Sequence, residues 1–156
     1  MLRIGMLTSG GDCQALNAAM RGVAKGVFAK VKDAEIYGFK DGYKGLIYSS
    51  FDMMTERDFS GILTRGGTIL GTSRQPFKQM RVIGEDGVDK VEAMKHTYHK
   101  LNLDCLVILG GNGTHKTATL GSIQKRNGIK AARRYIISFT KSAQNIRDVY
   151  VGKQRF

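Results

Sequence analysis

Two glycine-rich turns stand directly after apolar runs in this sequence, in a position where a chain can hold phosphate groups. The first, TSGGD at residues 8–12, follows the apolar run at 4–7, and the second, GGNGT at residues 110–114, follows the run at 105–109. A turn between a strand and a helix directs its main-chain N–H groups, together with the positive end of the helix, toward an anion. Because glycine has no side chain, the anion can approach the main chain closely. Together the turns predict a phosphate-binding crevice where the strand order of a sheet reverses.

The spacing of apolar residues predicts the strands and helices that must position these turns. Strands are expected near residues 3–7, 35–39, 105–109 and 134–138. Two helices have apolar residues at three- and four-residue spacing, one with Leu16, Ala19, Met20, Val23 and Val27, the other with Val88, Val91, Met94 and Tyr98. The predicted fold class is α/β, a Rossmann-like, doubly wound and mostly parallel sheet with helices on both faces.

Length and composition favour one domain in a cytoplasmic protein. The chain has 156 residues and no apolar stretch near the roughly 20 residues that span a bilayer. It begins almost directly in a predicted strand, which leaves no room for a signal peptide, and no membrane partner is expected. Cys13 and Cys105 are isolated thiols, typical of a reducing compartment, and Cys105 is expected in the core.

Positive charge is concentrated at the end of the chain. Residues 122–156 contain nine Lys or Arg and one acid, Asp148, and so contribute +8 of the total charge of +12. Such a segment can bind polyanions, and a basic polyanion-binding module is one alternative function. The segment lacks a nucleic-acid motif and a regular pattern of stacking aromatics, so no nucleic-acid interface is expected.

Two further segments identify a family. DGYKGL at residues 41–46 and RGGTILGTSR at 65–74 lie between the glycine turns, and NAAMRG at 17–22 follows the first turn. In this order the segments closely resemble the N-terminal half of 6-phosphofructokinases, from about residue 4 to about residue 118. Diacylglycerol kinases and NAD kinases have related turns but lack the two segments between them.

The resemblance implies a fold, a reaction and partners. The expected fold is the N-terminal domain of phosphofructokinases, and the reaction is phosphorylation of fructose 6-phosphate to fructose 1,6-bisphosphate in glycolysis, with ATP and Mg²⁺. Family members are about twice as long, since a second α/β domain supplies most of the sugar-phosphate site and part of the tetramer contacts. We expect a nucleotide-binding domain at 1–121 and a divergent basic segment of the same domain at 122–156.

The family's nucleotide site can be carried over residue by residue. Its ATP contacts correspond to Gly11, Tyr43, Arg74, Gln75, Gly111, Asn112, Gly113 and Thr114. Arg74 matches the arginine that bridges the transferring phosphoryl group, a task that suits a planar, permanently charged fork. Tyr43 is either a nucleotide-site tyrosine or a half-buried loop aromatic. Asn112 stands at the metal position, where its neutral carbonyl would bind Mg²⁺ less strongly than an aspartate.

The phosphoryl donor is predicted to be ATP. Gly113 leaves room for the nucleotide, whereas pyrophosphate-dependent members generally have a second carboxylate there. Lys141 resembles the lysine of pyrophosphate-dependent branches and keeps that donor as an alternative.

The catalytic base is absent at the position where the family has it. Two family aspartates are matched by Gln144 and Ile146, and an amide has no useful basicity near neutral pH. Ser142 could still donate to a substrate phosphate. These departures predict an inactive or incomplete chain and keep a non-catalytic nucleotide-binding protein as an alternative.

A second phosphate site is implied by three cations. Arg21, Lys25 and Arg57 fall at or near positions that form an effector pocket between subunits in bacterial members. Ordinary solvated cations on an amphipathic helix explain them equally well.

Overall fold

The computed structural model describes residues 1–10, 13–73, 75–83, 87–111, 114, 117–118 and 135–139. Within them, one sheet contains β1 (Leu2–Ser9), β2 (Ala34–Phe39), β3 (Phe51–Met54), β4 (Cys105–Gly110) and β5 (Tyr135–Phe139). The strand order is β3-β2-β1-β4-β5. Neighbouring strands run parallel except β3, which pairs antiparallel with β2 at one edge. The predicted mostly parallel sheet is confirmed.

The four predicted strands are all present, but β3 was not expected. It has only four residues, and its buried and exposed side chains do not alternate, so the sequence has no strand pattern there. Its Phe51 ring meets the rings of Tyr37 and Phe39 edge-on, at centroid distances of 5.5 and 6.0 Å. Such cross-strand aromatic pairs stabilise a short edge strand, and they exist only once β2 is in place.

Helices cover both faces of the sheet, as predicted. Those with described bounds are α1 (Cys13–Lys30), α2 (Tyr43–Ile47) and α3 (Lys90–Lys100), with 3₁₀ turns at Glu56–Phe59 and Phe77–Arg81. The Asp89 carboxylate caps α3 by accepting from the main-chain N–H groups of Val91 and Glu92 at 3.0 and 3.1 Å. Val88, which the apolar spacing places within this helix, therefore precedes it, although its side chain still packs on the core.

The core has two layers because side chains alternate along the central strands. Ile4 and Met6 of β1 face α1 in one cluster, together with Val107 of β4. Leu7 and Ile108 face the other cluster, which includes α2 and α3. Both faces of the sheet are therefore covered, the arrangement that parallel sheets require.

Cys105 lies in the core, as expected. Burial, and to a lesser extent the nearby Asp104 carboxylate, raises the pKa of the Cys105 thiol to about 11, so it stays protonated at neutral pH. Within the described part of the chain, no helix combines the length and apolar character needed to cross a membrane.

A crowded glycine at the start of α2 offers a test of this packing. Gly42 has φ +66°, and a Cβ built there would lie 2.5 Å from the carbonyl oxygen of Thr8. Gly61 has a similar φ of +69° but nothing within 4 Å of its Cβ position. Gly61→Ala should cost about 1–2 kcal/mol of unfolding free energy from backbone strain alone, and Gly42→Ala about 2–5 kcal/mol because overpacking adds to the strain.

Denaturant unfolding of both variants measures the difference. Equal losses would show that the end of β1 moves away from the new methyl group without cost.

Candidate phosphate-binding site

The two glycine turns leave the same edge of the sheet side by side. β1 and β4 are paired in parallel register from Ile4↔Cys105 to Ser9↔Gly110, so Gly10 and Gly111 follow directly after the last pair. β1 has β2 on its other side, and the strand order therefore reverses between β1 and β4. In open α/β sheets, ligands bind in the crevice at this position. The structure thus brings the turns together as the sequence predicted.

Thr114 ties the second turn to the first strand. Its hydroxyl donates to the carbonyl oxygen of Ser9 at 2.5 Å, and its main-chain N–H donates to Gly111 at 3.0 Å. The residue is buried and in helical conformation. Gly110 leaves no room for a side chain, since a Cβ there would lie 2.6 Å from the Thr114 hydroxyl and would also meet the Ser9 carbonyl.

Tyr43 supports the same turn from the core. Its side chain is 2% exposed at the start of α2, and its hydroxyl donates to the carbonyl oxygen of Thr114 at 2.9 Å. Burial raises the pKa of Tyr43 well above its ordinary value, so the phenol stays a neutral donor. The alternative of a half-buried loop aromatic is wrong, because Tyr43 begins a helix and is fully buried. Its contact with a nucleotide stays a prediction.

The loop at residues 64–73, here called the glycine-rich loop, lies against the end of β1. The Thr8 hydroxyl donates to the carbonyl of Gly71 at 2.7 Å. A hydroxyl has one proton, so Thr8 must accept from the Thr68 hydroxyl, which lies 3.0 Å away. The main-chain N–H of Gly10 donates to the Thr72 hydroxyl at 3.0 Å and is therefore already paired. An anion at the first turn would need other donors.

The DGYKGL segment holds the other side of the glycine-rich loop. Asp41 donates its main-chain N–H to Leu70 at 2.8 Å, and its carbonyl accepts from the Ser73 hydroxyl at 2.6 Å. Gln75, a predicted ATP contact, is half-buried shortly after Ser73. The sequence related these segments through resemblance alone, whereas the structure shows that they are bonded to each other and to β1.

Several predicted site residues cannot be placed in this geometry. Those that lie outside the described residues are Gly11, Arg74, Asn112, Gly113, Ser142 and Gln144. Among the residues that the structure does describe, no group of three or more His, Cys, Asp or Glu side chains could hold a metal ion. Asn112, the predicted metal position, lies outside the described residues, and the binding of Mg²⁺ stays a prediction.

The three candidate effector cations lie on neighbouring elements. Arg21 of α1 is half-buried, and its guanidinium donates to the carbonyl of Phe59 at 2.6 Å. Arg57 is exposed in the same 3₁₀ turn, and Lys25 is exposed on α1. The structure thus brings Arg21 close to the turn that carries Arg57, while their role in effector binding stays a prediction.

Two polar residues at this edge were not recognised from the sequence as structural contacts of the site. Thr8 and Asn17 are both 0% exposed. The signal was present, because a threonine in an apolar strand and an asparagine inside a helix are both unusual choices for buried positions. Only the structure shows that both side chains bond to the glycine-rich loop.

Comparison with known proteins agrees with the fold and the motifs. The family model for phosphofructokinase matches residues 3–142. The chain belongs to the phosphofructokinase family. It is 58% identical over 119 residues to the ATP-dependent 6-phosphofructokinase of Spirochaeta thermophila, a match that covers 74% of this chain and 32% of that protein.

Two further phosphofructokinases also match about three quarters of this chain. ATP-dependent 6-phosphofructokinase 3 of Bacteroides thetaiotaomicron is 44% identical over 118 residues, covering 75% of this chain and 34% of that protein. Pichia pastoris phosphofructokinase in the T-state superposes with a TM-score of 0.63 at 27% identity, over 76% of this chain and 13% of that one. The chain spans about a third of the length of the curated relatives described here.

The contact between Tyr43 and the second turn can be tested with a matched pair of variants. Tyr43→Phe leaves the buried carbonyl of Thr114 without this donor and should cost about 1–3 kcal/mol of unfolding free energy. It should also speed hydrogen exchange at the Thr114 amide. Tyr37→Phe removes a hydroxyl that donates to Glu35 on β2, and it should leave the exchange of Thr114 unchanged.

Unfolding in denaturant and amide exchange by NMR provide the two measurements. If Tyr43→Phe leaves the Thr114 amide as protected as in the parent protein, the hydroxyl does not hold the turn.

Proposed function

We propose that this chain is the nucleotide-phosphate-binding part of an ATP-dependent 6-phosphofructokinase, which transfers the γ-phosphoryl group of ATP to fructose 6-phosphate. The observation that supports this most is the pair of glycine turns at the β1/β4 switch point, joined by the bond from Thr114 to Ser9. Phosphoryl transfer depends mainly on positioning and electrostatic stabilisation. Turns held by buried hydrogen bonds suit that task because they need little reorganisation when phosphate binds.

The proposed contacts follow the family pattern. Gly11, Gly111, Gly113 and Thr114 would face the phosphates, with Tyr43 and Gln75 at the nucleotide. Arg74 would stabilise the charge that spreads over the transferring phosphoryl group, and it follows Ser73, which is bonded to Asp41. Ser142 would donate to a phosphate of the sugar substrate.

Magnesium is proposed to bind beside the second turn. Asn112 is the residue proposed to contribute to its binding, through a neutral side-chain carbonyl. Mg²⁺ typically takes few protein ligands when it bridges nucleotide phosphates, which is compatible with the absence of an acidic cluster among the described residues. When bound, the ion would neutralise charge between the β- and γ-phosphates.

The remaining family features are proposals of the same kind. They are a cytoplasmic location, a homotetrameric assembly of the longer protein, and an effector site with Arg21, Lys25 and Arg57. The bond from Arg21 to Phe59 supports the last of these, since it holds one cation beside the turn that carries another.

A non-catalytic nucleotide-binding protein is the second candidate. Gln144 and Ile146 occupy the positions of two family aspartates. A glutamine can orient a hydroxyl group but cannot accept its proton near neutral pH. In this case ATP would bind at the same crevice without phosphoryl transfer.

The 156-residue polypeptide by itself should show very little activity. We expect turnover with ATP, Mg²⁺ and fructose 6-phosphate far below about 1 per second, the lower end of ordinary enzyme values. A coupled assay on protein from a host that lacks its own phosphofructokinases measures this. Gln144→Asp should not restore turnover, because the chain spans only about a third of its relatives. Turnover near 1 per second in the unchanged polypeptide would refute the expected loss of the base.

The donor can be identified by the protection that it gives against heat. ATP should raise the melting temperature more than pyrophosphate does at equal free concentration, because the stabilisation by a ligand rises with the logarithm of the ratio of its concentration to its Kd. Gly113→Asp should reduce the shift with ATP by charge repulsion and lost space. Gly26→Asp on the exposed face of α1 adds the same charge with open space around it, outside both glycine turns and the glycine-rich loop, and should leave the ATP shift nearly intact. Equal or greater protection by pyrophosphate would overturn the assignment of ATP.

A further inference from the structure

We propose that Asn17 is a positioning residue for the nucleotide site: its amide fixes the glycine-rich loop, and through that loop the first glycine turn. The proposal rests on the proposed function for its effect on ATP, whereas its effect on the loop can be measured without any ligand.

Asn17 lies inside α1, where its side chain has no solvent contact. Its Nδ2 group donates to the carbonyl of Arg65 at 3.0 Å, and its Oδ1 atom accepts from the main-chain N–H of Ile69 at 3.0 Å. Asparagine is a poor residue for a helix interior. One amide that satisfies both a donor and an acceptor of a neighbouring segment explains its presence, since a buried polar group must be paired.

The loop that Asn17 closes has no helix or strand of its own, so its shape depends on bonds to neighbouring segments. Residues 64–73 contain no regular secondary structure, and two of their glycines, Gly67 and Gly71, have φ values of +76° and +71°. Glycine-rich segments lose much conformational entropy when ordered, so external bonds must offset that loss. Asn17 bridges one end of the loop, and Ile69 and Leu70 add contacts to the core.

The other end of the loop transmits this order to the site. Thr68 and Gly71 bond to the Thr8 hydroxyl, and the Thr72 hydroxyl accepts from the main-chain N–H of Gly10. Arg74 lies two residues after Thr72 in the sequence. A shift of the loop would therefore move Gly10 of the first turn and the start of the segment that carries Arg74.

The first experiment measures the loop without nucleotide. Amide hydrogen exchange by NMR should be at least about tenfold faster at Gly10 and Gly71 in Asn17→Ala than in the parent chain, because both amides depend on the position of the loop. Val91→Ala is the control, a truncation of a partly buried residue on α3 across the sheet. It should leave these two amides unchanged under conditions where both variants are folded.

The second experiment measures ATP binding to the folded proteins by calorimetry. Asn17→Ala and Asn17→Asp should each weaken ATP binding by about fivefold or more. In Asn17→Asp the reason is that the carboxylate repels the carbonyl of Arg65. Val91→Ala should change ATP affinity by less than about twofold.

The exposed Thr72 keeps the proposal testable if the Asn17 variants do not fold. Thr72→Val removes the acceptor for Gly10 and should weaken ATP and speed exchange at Gly10, whereas Thr72→Ser keeps the hydroxyl and should restore both. Unchanged exchange at Gly10 in the folded Asn17 variants, or in Thr72→Val where they do not fold, would overturn the positioning role. If the parent chain itself fails to bind ATP, the proposed function fails, and the exchange rates alone decide whether Asn17 positions the loop.

Discussion

The parallel pairing of β1 with β4 is the constraint on which the candidate site depends. Because the register ends at Ser9↔Gly110, the two glycine turns begin at the same level of the same sheet edge. A register shift by one residue would turn the buried side chains of β4 toward the wrong cluster. The pairing is therefore specified by the core, and the position of the turns follows from it.

Hydrogen bonds from buried side chains then convert this placement into a defined shape. Thr8, Asn17, Tyr43 and Thr114 each bond to main-chain groups of a different segment. Water cannot replace these partners at buried positions, so each bond is costly to break even though its net contribution is modest. These bonds consequently hold the glycine-rich loop and the second turn in place from buried side chains of neighbouring elements.

This arrangement explains how a site can consist of main chain that is both close-fitting and fixed. Glycine permits the approach of a phosphate but loses much entropy on ordering. Gly42 and Gly110 show the other use of glycine, since each packs directly against the carbonyl of a β1 residue where no side chain fits. Family membership agrees with this construction, because enzymes that transfer phosphoryl groups act mainly by positioning and electrostatic stabilisation.

The sequence by itself determined the α/β class, four of the five strands, the apolar faces of α1 and α3, and both glycine turns. These follow from local periodicity and local conformational preference, which neighbouring residues encode. Only the tertiary structure decided the short strand Phe51–Met54 and the partners of Asn17 and Tyr43. The reason is separation along the chain: Tyr43 meets Thr114 across 71 residues, and Thr114 meets Ser9 across 105. The type of a side chain, hydroxyl or amide, does not reveal which group it will bond to. Its partner is known only when packing brings the two segments together.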